Sequence, residues 1–72
     1  MFIQEFNKIV ISLNGRILPS ENATLQNTRL EPYALAVLFY KLNKLYPVFP
    51  YPVALQLMED NPSIVTIIEM VP

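Results

Sequence analysis

The 72 residues carry five Lys plus Arg against six Asp plus Glu, a formal charge of -1, with 53% hydrophobic and 15% charged residues, one Gly, seven Pro and neither His nor Cys. The missing residue types exclude a disulfide staple, a thiolate or imidazole zinc site, a thiol nucleophile and a Ser-His-Asp arrangement. The charge balance lacks the basic footprint of a nucleic-acid binder, and the length suits a single domain over residues 1–72 with a small core.

In chain order, residues 6 to 18 predict a β-hairpin. Lys8-Ile9-Val10-Ile11-Ser12-Leu13 is rich in β-branched residues, Asn14-Gly15 supplies two positions that tolerate positive φ, and Arg16-Ile17-Leu18 returns. A two-residue turn puts Ile9, Ile11, Leu13 and Leu18 on one face, which should be core. Pro19 ends the return strand, and the polar stretch from Pro19 to Thr28 reads as a long loop or frayed edge.

A helix follows from about Pro32 to Leu45, with Pro at its first position and a hydrophobic staple between Leu30 and Leu35. Leu35, Leu38, Phe39, Leu42, Leu45 and Tyr46 recur at helical spacing, and Lys41 and Lys44 suit the negative end of the helix dipole. From Tyr33 to Tyr40 the helix is apolar or aromatic on every side, a pattern expected of a helix buried all round. Tyr46-Pro47-Val48-Phe49-Pro50-Tyr51-Pro52 reads as a rigid apolar connector. A short second helix runs from Pro52 to about Asp60 and stops at Asn61-Pro62. Ser63 to Val71 reads as a strand apolar on both faces, suited to the centre of a sheet.

The resulting order is ββααβ: an α+β domain with the helices on one face of a three-stranded sheet. In outline it resembles the ubiquitin-like β-grasp, a hairpin followed by a helix and a later strand, with the second helix as an extra element. Phe2 rules out the N-terminal proline base of small oligomeric tautomerases.

Among candidate chemical groups, Glu59-Asp60 is the one adjacent carboxylate pair and reads as a solvated helix end, and Glu69 interrupts an apolar run. With no catalytic, cofactor or metal set in view, the expectation is a non-enzymatic interaction protein: an inhibitor, adaptor or accessory subunit acting through an apolar aromatic surface. An 8.3 kDa monomer exposes on the order of 4,600 Å², and so few charged side chains are a thin coat for it, which favours a homodimer or a larger protein target. The interface residues expected are Tyr33, Val37, Tyr40, Tyr46, Phe49 and Tyr51. The hairpin edge at residues 16 to 18 offers a second place for a strand to add. The rival reading is a homo-oligomer that holds a small molecule, as binder or enzyme, in a pocket between subunits. The longest charge-free run, Leu45 to Met58, contains Pro47, Pro50 and Pro52 and cannot span a bilayer, so a cytoplasmic protein without a membrane span is expected.

Overall fold

The computed structural model describes all 72 residues, Met1–Pro72. It holds four α-helices, α1 (Ile3–Ser12), α2 (Pro32–Leu45), α3 (Tyr51–Asp60) and α4 (Ile64–Glu69), with a 3-10 turn at Leu25–Thr28 and no β-strand. The α+β fold with a three-stranded sheet, and with it the β-grasp likeness, is therefore corrected to a small all-helical domain.

The segment read as the first hairpin strand is part of α1. Ile3, Phe6, Val10 and Leu13 recur three or four residues apart, and Phe6 and Val10 are completely buried while Ile11 is 52% exposed. Glu5 reaches back from the third helical position to accept the Phe2 N–H at 3.5 Å, occupying one of the orphan amides of the first turn.

Asn14-Gly15 closes a helix rather than turning a hairpin. Asn14 takes the left-handed conformation (φ 61) and donates its N–H to the Ile11 carbonyl at 2.9 Å. Gly15 donates to the Val10 carbonyl at 2.9 Å, completing a Schellman cap. Gly15 has no positive φ; what it supplies is room, since a Cβ there would lie 2.7 Å from both Leu30 Cδ2 and Val10 Cγ1.

Arg16 to Leu18 is no edge strand. The Asn7 side chain holds Leu18 at both backbone groups, accepting its N–H at 3.1 Å and donating to its carbonyl at 3.2 Å. Arg16 donates its N–H to the Thr28 carbonyl at 2.7 Å. The chain between α1 and α2 is thus fixed by a helical side chain on one side and the 3-10 turn on the other.

The polar stretch 19–28 is not frayed, and the segment 63–71 is not a strand. Ile64 and Val65 donate their N–H groups to the carbonyls of Ala23 (2.8 Å) and Glu21 (2.9 Å), which occupy orphan donors at the start of α4. Leu25 donates to the Pro62 carbonyl at 3.1 Å, and Gln26 donates its N–H to Asn61 Oδ1 at 2.8 Å. Thr24 and Ser63 form an isolated antiparallel bridge between the 19–28 stretch and the start of α4. Thr28, the one fully buried polar residue, donates to the Leu25 carbonyl at 2.8 Å and accepts the Leu30 N–H at 3.3 Å. On α4, Ile64 and Ile67 are completely buried and Glu69 is exposed, so the carboxylate needs no inward partner.

The second and third helices match their sequence signals. α2 spans the predicted residues with Pro32 at its first position, and α3 starts at Tyr51 with Pro52 at its second. They form a helical hairpin over the connector Tyr46–Pro50, where Asn43 Oδ1 accepts the Phe49 N–H at 3.0 Å. Leu35, Leu38, Phe39 and Leu42 are buried, and the Phe39 and Phe49 rings lie 5.9 Å apart, tilted by 47°. The buried apolar side chains form one cluster from Phe6 to Ile67. No helix is long and apolar enough to cross a membrane.

Candidate protein-interaction site

The first half of α2, Tyr33 to Tyr40, is expected from sequence to be buried all round, and only one side of it is. Leu35, Leu38, Phe39 and Leu42 face the core; seven residues apart on the opposite side stand Tyr33, 83% exposed, and Tyr40, 61% exposed. On α3 the core side carries Ala54 and Leu57, while Tyr51 is 67% and Leu55 44% exposed. The two exposed stripes meet over a shallow groove of about 90 Å³ lined by Ala36, Phe39, Tyr40, Phe49, Tyr51 and Ala54, with the polar side chain of Asn43 beside them. Phe39, Phe49 and Ala54 are buried and make its floor; Tyr40 and Tyr51 make its walls.

Small Ala36 and Ala54 leave the depression open, and the Asn43 hydrogen bond holds Phe49 beneath it. The Lys44 ammonium lies 4.6 Å from the centre of the Tyr40 ring, a cation–π contact worth roughly 0.5–1 kcal/mol at an exposed site.

Of the six residues singled out from sequence, Tyr40, Phe49 and Tyr51 are brought together at this groove, with Phe49 buried beneath the surface. Tyr33 continues the α2 stripe, and Val37 is half-buried beside it. Tyr46 is elsewhere: half-buried, it donates its hydroxyl proton to Glu5 Oε2 at 2.5 Å and ties the end of α2 to the start of α1. That bond holds the Glu5 carboxyl below its ordinary 4.5, against the opposing effect of burial. The same bond, aided by burial, holds the Tyr46 hydroxyl above its ordinary 10.0.

Sequence reasoning missed Leu55, Ala36 and Ala54. Leu55 lies four residues after Tyr51, so the helical repeat of α3 was the signal for it. The two alanines became meaningful only once α2 and α3 were seen to pack together. Glu59 and Asp60 are exposed at the end of α3, and Asp60 accepts a hydrogen bond from Gln56 Nε2 at 2.9 Å. Comparison with protein-family models, curated proteins and solved structures finds no match to this chain.

Proposed function

We propose that this chain is a non-enzymatic interaction protein, an adaptor or accessory subunit, and that the α2–α3 face docks a protein surface, in the first instance that of a second copy. The observation that carries the reading is the pair Tyr40 and Tyr51, each more than 60% exposed, beside an apolar floor, with exposed Tyr33 two turns further along α2. Tyrosine suits such a surface because its ring is apolar and rigid while its hydroxyl stays hydrated until a partner arrives. The groove volume of about 90 Å³ is small beside the ~300–1,000 Å³ of ligand pockets, which favours a protruding protein side chain over a free small molecule.

Two features support a second copy as the occupant. The two charges nearest the ends of the face are opposite: Lys44, over the Tyr40 ring at the connector end of α2, and exposed Glu59 near the end of α3, four residues beyond Leu55. A two-fold axis across the face sets Lys44 of each copy toward Glu59 of the other, the self-complementary arrangement that an isologous interface requires. Covering the exposed tyrosines and Leu55 on both copies buries on the order of 1,000 Å² in total, the lower bound for a specific interface. A reversible, concentration-dependent dimer follows.

Light scattering on a size-exclusion column, over a wide range of protein concentration, tests this. The native chain is expected to shift from monomer to dimer as concentration rises, and Tyr40→Asp or Tyr51→Asp to remain monomeric with an unchanged helical circular dichroism spectrum. A native monomer at all concentrations removes the second copy as occupant. A native dimer that survives both substitutions moves the interface off this face.

A further inference from the structure

The largest cleft of the molecule shares no residue with the aromatic groove. Its volume is about 350 Å³, within the range of small-molecule pockets, and Arg16, Ile17, Pro19, Ala23, Gln26, Asn27 and Arg29 line it. Two of the five cations of a net acidic chain line this one cleft, and no carboxylate does. We propose that the cleft binds a small organic phosphate, its phosphate group between Arg16 and Arg29 and its organic part on Ile17, Pro19 and Ala23.

The donor inventory points to this chemistry. Each guanidinium is a planar fork of N–H donors that accepts nothing. Asn27 Oδ1 is already engaged by the Thr24 N–H at 2.8 Å and the Thr24 hydroxyl at 3.1 Å, so what Asn27 offers a ligand is its Nδ2 donor. A ligand seated here therefore needs several acceptor oxygens. A carboxylate offers two oxygens in one plane and a single charge; a phosphate monoester offers three on a tetrahedral centre and a charge of about -1.5 to -2, which suits two forks from different segments and neutralises both. It also removes the repulsion between two like charges set around one void. The apolar wall, with Ile17 55% exposed, gives the organic part a surface that inorganic phosphate would not use.

The frame of the cleft is fixed. Arg16 is anchored through its N–H on the Thr28 carbonyl, and the Asn7 clamp on Leu18 holds the segment that follows. Gln26 is anchored through its N–H on Asn61. Arg29 caps the 3-10 turn in the left-handed conformation at φ 58, with its N–H on the Gln26 carbonyl at 3.0 Å. The arginines are thus carried on positioned backbone, which lowers the ordering cost of binding.

The test is a titration of the isotope-labelled full chain, followed by amide chemical shifts, with phenyl phosphate, inorganic phosphate and sodium acetate at matched ionic strength. Phenyl phosphate is expected to give saturable shifts over residues 15–18 and 23–30, with a dissociation constant on the order of 1 mM, the scale that two charge-assisted contacts at an open site supply. Inorganic phosphate should bind the same residues more weakly, and acetate should not saturate. Arg16→Gln and Arg29→Asn should each weaken phenyl phosphate roughly tenfold, whereas Lys8→Gln on α1 should leave it unchanged. Asn tolerates the left-handed conformation, so Arg29→Asn keeps the fold, checked by an unchanged unfolding midpoint. Shifts that follow ionic strength alone, or that spread equally to Lys8, Lys41 and Lys44, overturn the site. Equal affinity for phenyl and inorganic phosphate overturns the role of the apolar wall.

Discussion

Replacing Gly15 by Ala separates the helix cap observed at Asn14-Gly15 from a hairpin turn at the same dipeptide. In a type I′ hairpin both residues need positive φ, the turn is open to solvent, and the penalty for Ala comes from the backbone. Here Gly15 has an ordinary backbone, and the penalty comes from packing: the added methyl meets Leu30 Cδ2 and Val10 Cγ1 at 2.7 Å and Leu30 Cγ at 2.9 Å. Leu30 is half-buried and can yield, but Val10 is completely buried against the core cluster. Overpacking of this kind costs about 1–3 kcal/mol, a large share of the ~4–11 kcal/mol available to a domain of this length. At about 4–8 °C per kcal/mol, the expected fall in unfolding midpoint is on the order of 10 °C. Asn14→Gly should act in the opposite sense, neutral or slightly stabilising, because Gly adopts φ 61 without strain. Urea unfolding followed by far-UV circular dichroism measures both. Gly15→Ala within about 0.3 kcal/mol of the native chain, or Asn14→Gly as harmful as Gly15→Ala, would refute the capping argument.

Asn7→Ala should cost about 1–3 kcal/mol, because it strips the partners from both backbone groups of buried Leu18; a urea midpoint equal to the native one would show that water replaces the clamp. Thr66 is exposed in the first turn of α4 with its hydroxyl 3.3 Å from that of the N-cap Ser63, so Thr66→Ala gives up one weak exposed contact while gaining helix propensity, and stability should stay within about 0.5 kcal/mol of the native chain. A clear loss of stability in that variant would return residues 63–71 to a strand-like account. Tyr46→Phe tests the bond to Glu5 through pH. The lowered carboxyl of Glu5 contributes stability above its unfolded value and loses it as pH falls through the folded one; the raised hydroxyl of Tyr46 contributes below its unfolded value and loses it as pH rises through the folded one. The native chain should therefore exceed Tyr46→Phe in urea midpoint through the neutral range, and the two should converge in acid and again in strong alkali. Parallel curves at every pH would mean that the bond does not form in solution.

The elements legible in the sequence were those with an unambiguous boundary. Glu31-Pro32 ahead of an apolar run at helical spacing marks a helix start, and Asn61-Pro62 marks a stop, and the observed α2 and α3 agree with both nearly to the residue. The errors fell where one local signal has two physical solutions. Asn-Gly accommodates positive φ in a hairpin turn and equally in a Schellman cap, and nothing within the dipeptide chooses between them. Ile64, Ile67, Ile68 and Val71 fit a repeat of 3.6 as well as the run 63–71 fits a repeat of 2, because between Ile64 and Val71 only Thr66 and Glu69 are polar and both spacings find mostly apolar residues. β-branched composition tipped both readings toward strand. It was outweighed by burial of Phe6, Val10, Ile64 and Ile67, and by carbonyls of the 19–28 stretch that satisfy the first amides of α4. The strand run Lys8–Leu13, within a hairpin over residues 6 to 18, takes in only Val10 and Leu13 of the repeat Ile3, Phe6, Val10 and Leu13 that marks a helix.

Three of the six residues singled out from sequence, Tyr40, Phe49 and Tyr51, lie together at the groove although the fold differs from the one expected, because their choice depended on composition rather than on element type. Three of the four phenylalanines, Phe6, Phe39 and Phe49, are fully buried, Phe2 ahead of α1 being exposed, whereas Tyr33, Tyr40 and Tyr51 stand in solvent and only Tyr46 is drawn partly inward. The division has a cause. A buried phenol needs a partner for its hydroxyl, and Tyr46 has one in Glu5. No such carboxylate is supplied at the groove, where the lining beyond the aromatic rings is alanine and one asparagine whose Oδ1 is committed to Phe49. Turning Tyr40 or Tyr51 inward would cost a desolvated hydroxyl; leaving them outward keeps two rigid rings beside an apolar floor. Substituting Phe for Tyr40 and Tyr51 together removes that cost without removing the rings. The double variant should retain or strengthen self-association while losing solubility, and weaker association would show that the hydroxyls, rather than the rings, hold the partner.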